Sequence, residues 1–445
     1  MANQYDLILK GATVVNQDGA GVRDIAVSGG RIAAISTAAE PITEGAADVI
    51  DCSGLHILPG VIDSQVHFRE PGLTHKEDLE TGSRAAVAGG VTVVFEMPNT
   101  NPLTTTPEAL ADKVTAARNR MFCDFAFYVG ATRENIDEIP MLERLEASAG
   151  IKVFMGSSTG NLLVDDEASL DRIIARLSRR AAFHSEDEDR LIAREGMRRP
   201  GDPTSHPEWR DVEAAMISTR RLVRLAEKNR RRVHVLHIST GDEMAFLKDH
   251  REWASVEVTP NHLTLTAPEC YERLGAFAQM NPPVRDAAHQ ARIWEGVRDG
   301  TVDVLGSDHA PHTREEKEHA YPASHSGMTG VQTLVPIMLD HVNAGQLTLE
   351  RFVDLTSHGP QRLFGLRGKG RIAAGYDADF TIVDLKRRET ITDAWIESRC
   401  GWTPFDGKTV TGWPIGTIIR GRRVMWDGEI LGPAHGDAAR FHEAD

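Results

Sequence analysis

PGVIDSQVHFREPG, residues 59–72, is where the chain changes its pattern. It begins apolar in GVI, passes through Asp63, Gln65 and His67, and then reaches the Pro71–Gly72 turn. An apolar strand that closes on reactive side chains suits a parallel barrel, whose functional groups emerge at the C-terminal ends of its strands. Downstream the form recurs in TVVFEMP, CDFAFYVG, GIKVFMG, AAFHSE, VHVLHIS, ASVEVTP and VDVLGSDHAP. Helical patterns such as PEALADKVTAARNR and VEAAMISTRRLVRLAEKNR separate these segments. About eight rounds of strand and helix between Val61 and Gly365 predict an α/β fold, a (β/α)8 TIM-type barrel of about 250 residues.

Outside that span the periodicity is that of short strands. YDLILKGATVV, DIAVSGGRIAAIS and DVIDCSGLHILPG precede it, and GRIAAGYDADFTIVDL and GTIIRGRRVMWDGEIL follow it. Each group is too short to bury a core alone, so the simplest packing joins them as one small β-sandwich beside the barrel. The expected division is 1–56 for the first part of the sandwich, 57–366 for the barrel, and 367–445 for the second part and a tail. The acidic end HGDAARFHEAD reads as a loose terminus. A chain of 445 residues exceeds what one core usually covers, which agrees with two units.

Composition excludes several roles. No apolar stretch approaches the roughly 18 residues of a membrane span, and the N-terminus has no signal-peptide pattern, so a cytoplasmic protein is expected. Four cysteines lie far apart without a CxxC pair, which suits neither disulfides nor a thiolate metal site. A net charge of −15 would repel a phosphate backbone, so nucleic acid is not an expected partner. The expected partner is a small-molecule substrate.

The polar residues closing the strands carry the chemistry: Asp63, Gln65 and His67, then Lys152, His184, His237 and Asp308. One histidine ending an apolar strand is usually a hydrogen-bonded core residue. Three of them on different strands, with a terminal aspartate, point instead to a metal site. Imidazole and carboxylate without thiolate favour zinc or a similar divalent ion. A buried lysine needs another explanation, because an ammonium ion cannot ligate a metal. If Lys152 faces the barrel mouth, burial depresses its pKa, and the neutral amine can add carbon dioxide to become a carbamate.

DSQVHFREPG, EMPNTNP, GIKVFMGSSTG, HVLHIST, MNPPVR and GSDHAPHTREEK, in this order, resemble the class I dihydroorotases of the amidohydrolase superfamily. The resemblance implies a metal-dependent cyclic amidohydrolase that reversibly hydrolyses L-dihydroorotate to N-carbamoyl-L-aspartate. It implies a first-strand H-x-H pair matched here only by His67, with Gln65 in the first place. It also implies a carbamylated Lys152, His184 and His237 on a second metal, and Asp308 as both ligand and proton carrier. Arg69, Asn99 and His312 correspond to the substrate-carboxylate clamp, and Asn281 to a residue near the ring. Asn261, where relatives often carry histidine, is a second departure.

The expected cofactor is zinc, as one or two ions, with one tightly held ion preferred because a Gln65 amide oxygen is a weaker donor than imidazole. A homo-oligomer is expected, and association with aspartate transcarbamoylase is a feature that the resemblance leaves open. The competing readings are a hydantoinase or allantoinase, and a non-catalytic scaffold for which Gln65 is the best argument.

Overall fold

The computed structural model describes residues 4–37, 40–43, 45–156 and 162–442. The SSTG end of GIKVFMGSSTG and the last three residues of the tail lie outside them. Eight parallel strands form the barrel wall: β6 (Val61–Val66), β7 (Val91–Glu96), β8 (Asp124–Gly130), β9 (Ser148–Phe154), β10 (Ala181–His184), β11 (Val233–Val235), β12 (Ala254–Val258) and β13 (Val304–Leu305). They pair in sequence order, and a bridge between Val66 and His309 brings the two ends together. Every residue of these strands is buried, as a parallel sheet covered on both faces requires. That double burial is why the strands read as apolar runs rather than as alternation.

The helices follow local rules. Val212–Asn229 starts where Asp211 accepts a hydrogen bond from Ala214 N and stops where Arg230 turns left-handed at φ 52°. Pro107–Ala117 opens with proline in its first turn, capped by Thr106. Among the described residues no helix is long and apolar enough to cross a membrane. All four cysteines are buried and unpaired.

Strands from both chain ends share one nine-stranded sheet. The first five are β1 (Tyr5–Asn16), β2 (Gly19–Ser28), β3 (Arg31–Ile35), β4 (Ala46–Asp51) and β5 (His56–Pro59). The late ones are β14 (Phe380–Thr390), β15 (Thr409–Ile419), β16 (Arg422–Trp426) and β17 (Glu429–Ile430). The order is β17-β16-β15-β14-β5-β1-β2-β3, with β4 on β1, so the β5–β14 pair stitches the two halves together. Leu7, Ile25, Ile57, Ile382 and Ile418 lie in one apolar cluster, so neither half buries its core alone. Lys369, buried, fastens the sheet to the barrel through Asp124 at 2.7 Å and Asp379 at 2.5 Å.

The described part of the tail is not loose. Phe125 N donates to Asp437 O at 3.0 Å, Ala439 N to Phe125 O at 2.8 Å, and His442 N to Gly365 O at 2.8 Å. Ala439 is buried, and Phe441 packs edge-on against Phe95 at 5.7 Å beneath an Arg179 guanidinium. The tail closes the N-terminal end of the barrel, where the strand interiors would otherwise meet water. Charge count misjudged it because two well-placed side chains, Ala439 and Phe441, do the filling.

Candidate metal-dependent active site

At the opposite end the strand termini open into a cavity of about 450 Å³ lined by Gln65, His67, Lys152, His184, His237 and Asp308. Arg69, Asn99, Asn281 and His312 share its wall, so the sequence-derived site residues other than Asp63 converge there. A groove of about 540 Å³ near the tail, lined by Arg144, Arg179 and Arg367 among others, gathers no comparable set of histidine ligands. Asp63 lies deeper, where its Oδ1 accepts from Ser307 N at 2.9 Å and ties β6 to the segment before Asp308. Asn261 is buried at the start of Pro260–Thr264 and is not among the cavity-lining residues.

Three of these residues hold left-handed backbone without being glycine: Arg69 at φ 65°, His237 at 38° and Asp308 at 49°. Each such residue costs on the order of 1–3 kcal/mol and persists only where the surroundings enforce it. The strain turns each side chain into the cavity directly after its strand.

The hydrogen bonds set the imidazoles for ligation. His67 Nδ1 donates to Asn99 Oδ1 at 2.7 Å, so its Nε2 carries the lone pair, 3.2 Å from Asp308 Oδ1. His184 Nε2 donates to Glu186 Oε2 at 2.8 Å, which leaves Nδ1 facing His237 Nε2 at 3.0 Å. Burial raises the Glu186 carboxyl, but Arg210 at 2.6 Å and His184 overcome it and bring the pKa down to about 2. Glu186 is therefore a fixed acceptor. Burial, then the neighbouring His184, holds His237 well below the usual imidazole range, so the ring is neutral.

Gln65 Nε2 donates to Asp308 Oδ1 at 3.0 Å. Its Oε1 is buried without a hydrogen-bond partner. An orphaned buried acceptor costs about 1–3 kcal/mol. Converging lone pairs on His67, His184 and His237, with the Asp308 carboxylate, form a donor set that a divalent cation fits. Lys152 adds no salt bridge among the described residues. It is 1% exposed, its Nζ lies 4.5 Å from the Phe154 ring centroid, and burial pulls its pKa down to about 7.

A third side of the cavity is cationic. Arg69 is buried, and neither adjacent acid serves it: Glu70 pairs with Arg120, and Glu77 is engaged by Thr81 and Ser398. Arg69 Nε donates to Pro311 O at 3.1 Å, and Nη2 lies 3.3 Å from His312 Nε2. His312, Glu316 and His325 have the mutual spacing of a small metal site. The Lys76 ammonium already stands there, 3.1 Å from His312 Nδ1 and 2.9 Å from Glu316 Oε1, so the cluster carries its own cation.

Sequence reading missed Glu186 and Arg210, which act on the site residues rather than on the cavity itself, and Lys76, which lines the cavity beside His312. Glu186 sits two residues past His184 in HSED, where it looks like part of the acidic run that caps Glu188–Ala193.

Comparison with known proteins agrees with this geometry. The chain is 36% identical to a dihydroorotase of Halobacterium salinarum over 421 residues, covering 94% of this chain and 97% of that protein. It is 33% identical to an L-hydantoinase of Paenarthrobacter aurescens over 447 residues, covering 96% of each. The solved L-hydantoinase from Arthrobacter aurescens superposes with a TM-score of 0.93 at 31% identity, covering 98% of this chain and all of that one. The amidohydrolase family model matches residues 56–424, and with a barrel whose strand ends collect imidazoles, a lysine and a carboxylate around one cavity, this chain belongs to the amidohydrolase family.

Proposed function

We propose that the protein is a dihydroorotase, catalysing reversible hydrolysis of the ring amide of L-dihydroorotate to N-carbamoyl-L-aspartate, with ring closure serving pyrimidine synthesis. The observation that carries this reading is Arg69: a buried guanidinium without a carboxylate partner among the described residues, in the same cavity as Asp308. A buried cation left unpaired is costly, so the site is arranged for an anion that arrives with the substrate. Dihydroorotate carries one, and hydantoin and allantoin do not. The dihydroorotase from Halobacterium salinarum, at 36% identity, supports the same choice.

In this reading residues 57–366 are the hydrolase barrel, flanked by 1–56 and 367–445. The cofactor of this reading is zinc, which His184, His237 and a carbamylated Lys152 would hold, with His67, Gln65 and Asp308 as a second, weaker position. A divalent ion bound there would polarise the ring carbonyl and lower the pKa of water to about 7. Arg69, Asn99 and His312 hold the substrate carboxylate, Asn99 through its amide nitrogen while its Oδ1 orients His67, and Asn281 lies against the ring. Gln65 and His67 both lie on Asp308 Oδ1, which leaves Oδ2 to take the water proton and return it to the leaving nitrogen. A scaffold without catalysis would have no use for this set.

Arg69→Ala is expected to lower kcat/KM for dihydroorotate by about 2–4 kcal/mol, roughly thirty- to several-hundredfold, with metal content intact. Turnover of hydantoin, if any, should not change. Comparing dihydroorotate, hydantoin and allantoin on the wild type tests the reading itself: preference for either uncharged ring would replace it with a hydantoinase or allantoinase.

Gln65 sets the metal count. Titration of apo-protein should give one tight zinc equivalent, and Gln65→His should add a second, since imidazole nitrogen is the better donor. Two equivalents of comparable affinity in the wild type would contradict the weak-site assignment.

A further inference from the structure

We propose that Lys76 is a positioning residue that fixes the tautomer of His312, making its Nε2 a hydrogen-bond donor to the substrate's carboxylate and so setting the preference for a charged ring. This rests on the dihydroorotase reading for its substrate, and on local geometry for the tautomer.

An ammonium group has three donors and no acceptor. Lys76 Nζ lies 3.1 Å from His312 Nδ1, which makes Nδ1 the acceptor. The other ring nitrogen gives the same answer independently: His312 Nε2 is 3.1 Å from Ser326 O, and a carbonyl oxygen only accepts. Burial, and then Arg69 and Lys76, keep this imidazole well below its usual pKa, so it carries one proton, on Nε2. Arg69 Nη2 stands 3.3 Å away and is also a donor. Two donors at that separation have nothing to give each other, and a carboxylate oxygen beside them would accept from Arg69 and share the Nε2–H that Ser326 O holds in the absence of substrate.

Glu316 shows why a lysine is needed. Its Oε2 lies 3.6 Å from His312 Nδ1, the nearest carboxylate to that nitrogen. Without the ammonium, that carboxylate would draw the ring proton to Nδ1. The Nε2 lone pair would then face Ser326 O and the incoming carboxylate. Lys76, 2.9 Å from Glu316 Oε1, both blocks that tautomer and neutralises the acid behind it. The His325 ring, tilted at 4.9 Å, packs against His312 and limits its rotation.

Nitrogen-15 NMR of histidine-labelled, substrate-free protein reads the tautomer directly, with His312→Gln identifying the signal. The wild type should show Nε2–H, Lys76→Met should shift His312 toward Nδ1–H, and Lys76→Arg should restore the wild-type form. In kinetics, Lys76→Met should lose roughly ten- to a hundredfold in kcat/KM for dihydroorotate, carried by KM. Dihydrouracil, the same ring without the carboxylate, should lose little. The double variant Lys76→Met, Glu316→Gln leaves no unpaired acid and offers an amide donor to Nδ1, so it should recover the wild-type tautomer even if the single variant folds poorly. An unchanged Nε2–H signal in Lys76→Met, or a double variant whose His312 carries its proton on Nδ1, overturns the proposal, as does equal loss on both rings. If the wild type ignores dihydroorotate, the functional reading fails while the NMR arm still tests Lys76.

Discussion

Lys152→Ala is expected to leave a protein without tightly bound metal and with activity lower by on the order of a thousandfold or more. The side chain stands inside β9, 1% exposed, with an aromatic ring beside its amine and no salt bridge among the described residues. Burial brings its pKa to about 7, so near neutral pH much of the amine is uncharged. Only the uncharged amine has a lone pair to add to the carbon of carbon dioxide. Loss of its proton then gives a carbamate, one negative charge shared by two oxygens, a group suited to divalent ions where an ammonium would repel them. Losing a Lewis acid removes several kcal/mol of transition-state stabilisation, and each 1.36 kcal/mol is a factor of ten. The check is metal analysis and dihydroorotate turnover with and without acetate or propionate, which should enter the space left by alanine and restore part of both. A variant that keeps its full metal complement would make Lys152 a structural residue.

What the sequence made legible, and what it did not, follows from the range of the interactions. The barrel was readable because strands buried on both faces have to be apolar, and because a polar residue at the end of such a strand stands out. His67, His184, His237 and Asp308 were found that way, and Gln65 by its contrast with them. Arg69 was assigned to the carboxylate clamp through the resemblance, but Glu70 and Glu77 are both close enough in sequence to pair with it, and only the fold shows them engaged elsewhere. Lys76 and Glu316 are separated by most of the barrel, so their pairing shows only once the chain closes. Ala439 and Phe441 were hidden for the same reason. A terminal segment with few apolar residues gives no periodicity, although each finds a place against β7 and β8.

Asp308→Asn should reduce kcat for dihydroorotate hydrolysis by roughly 10²–10⁴-fold, the usual contribution of a positioned general base. The substitution is nearly isosteric, and an amide oxygen in place of Oδ1 can still accept from Gln65 Nε2, so the left-handed turn at φ 49° and the contact to β6 should survive. What is lost is basicity: an amide cannot take a proton from water or carry it to the ring nitrogen. The loss should therefore fall on kcat, with KM nearly unchanged, because Arg69 and His312 rather than Asp308 hold the substrate. Arg69→Ala should show the opposite division. The equilibrium between ring and open chain belongs to the substrates, so kcat/KM for ring closure must fall by the same factor as for hydrolysis. Measuring both directions at matched metal content separates this from trivial causes: a metal-depleted variant would recover when zinc is added, and an enzyme that lacks its base would not. A kcat within tenfold of wild type in metal-replete protein would remove Asp308 as the proton carrier and leave it only as a ligand.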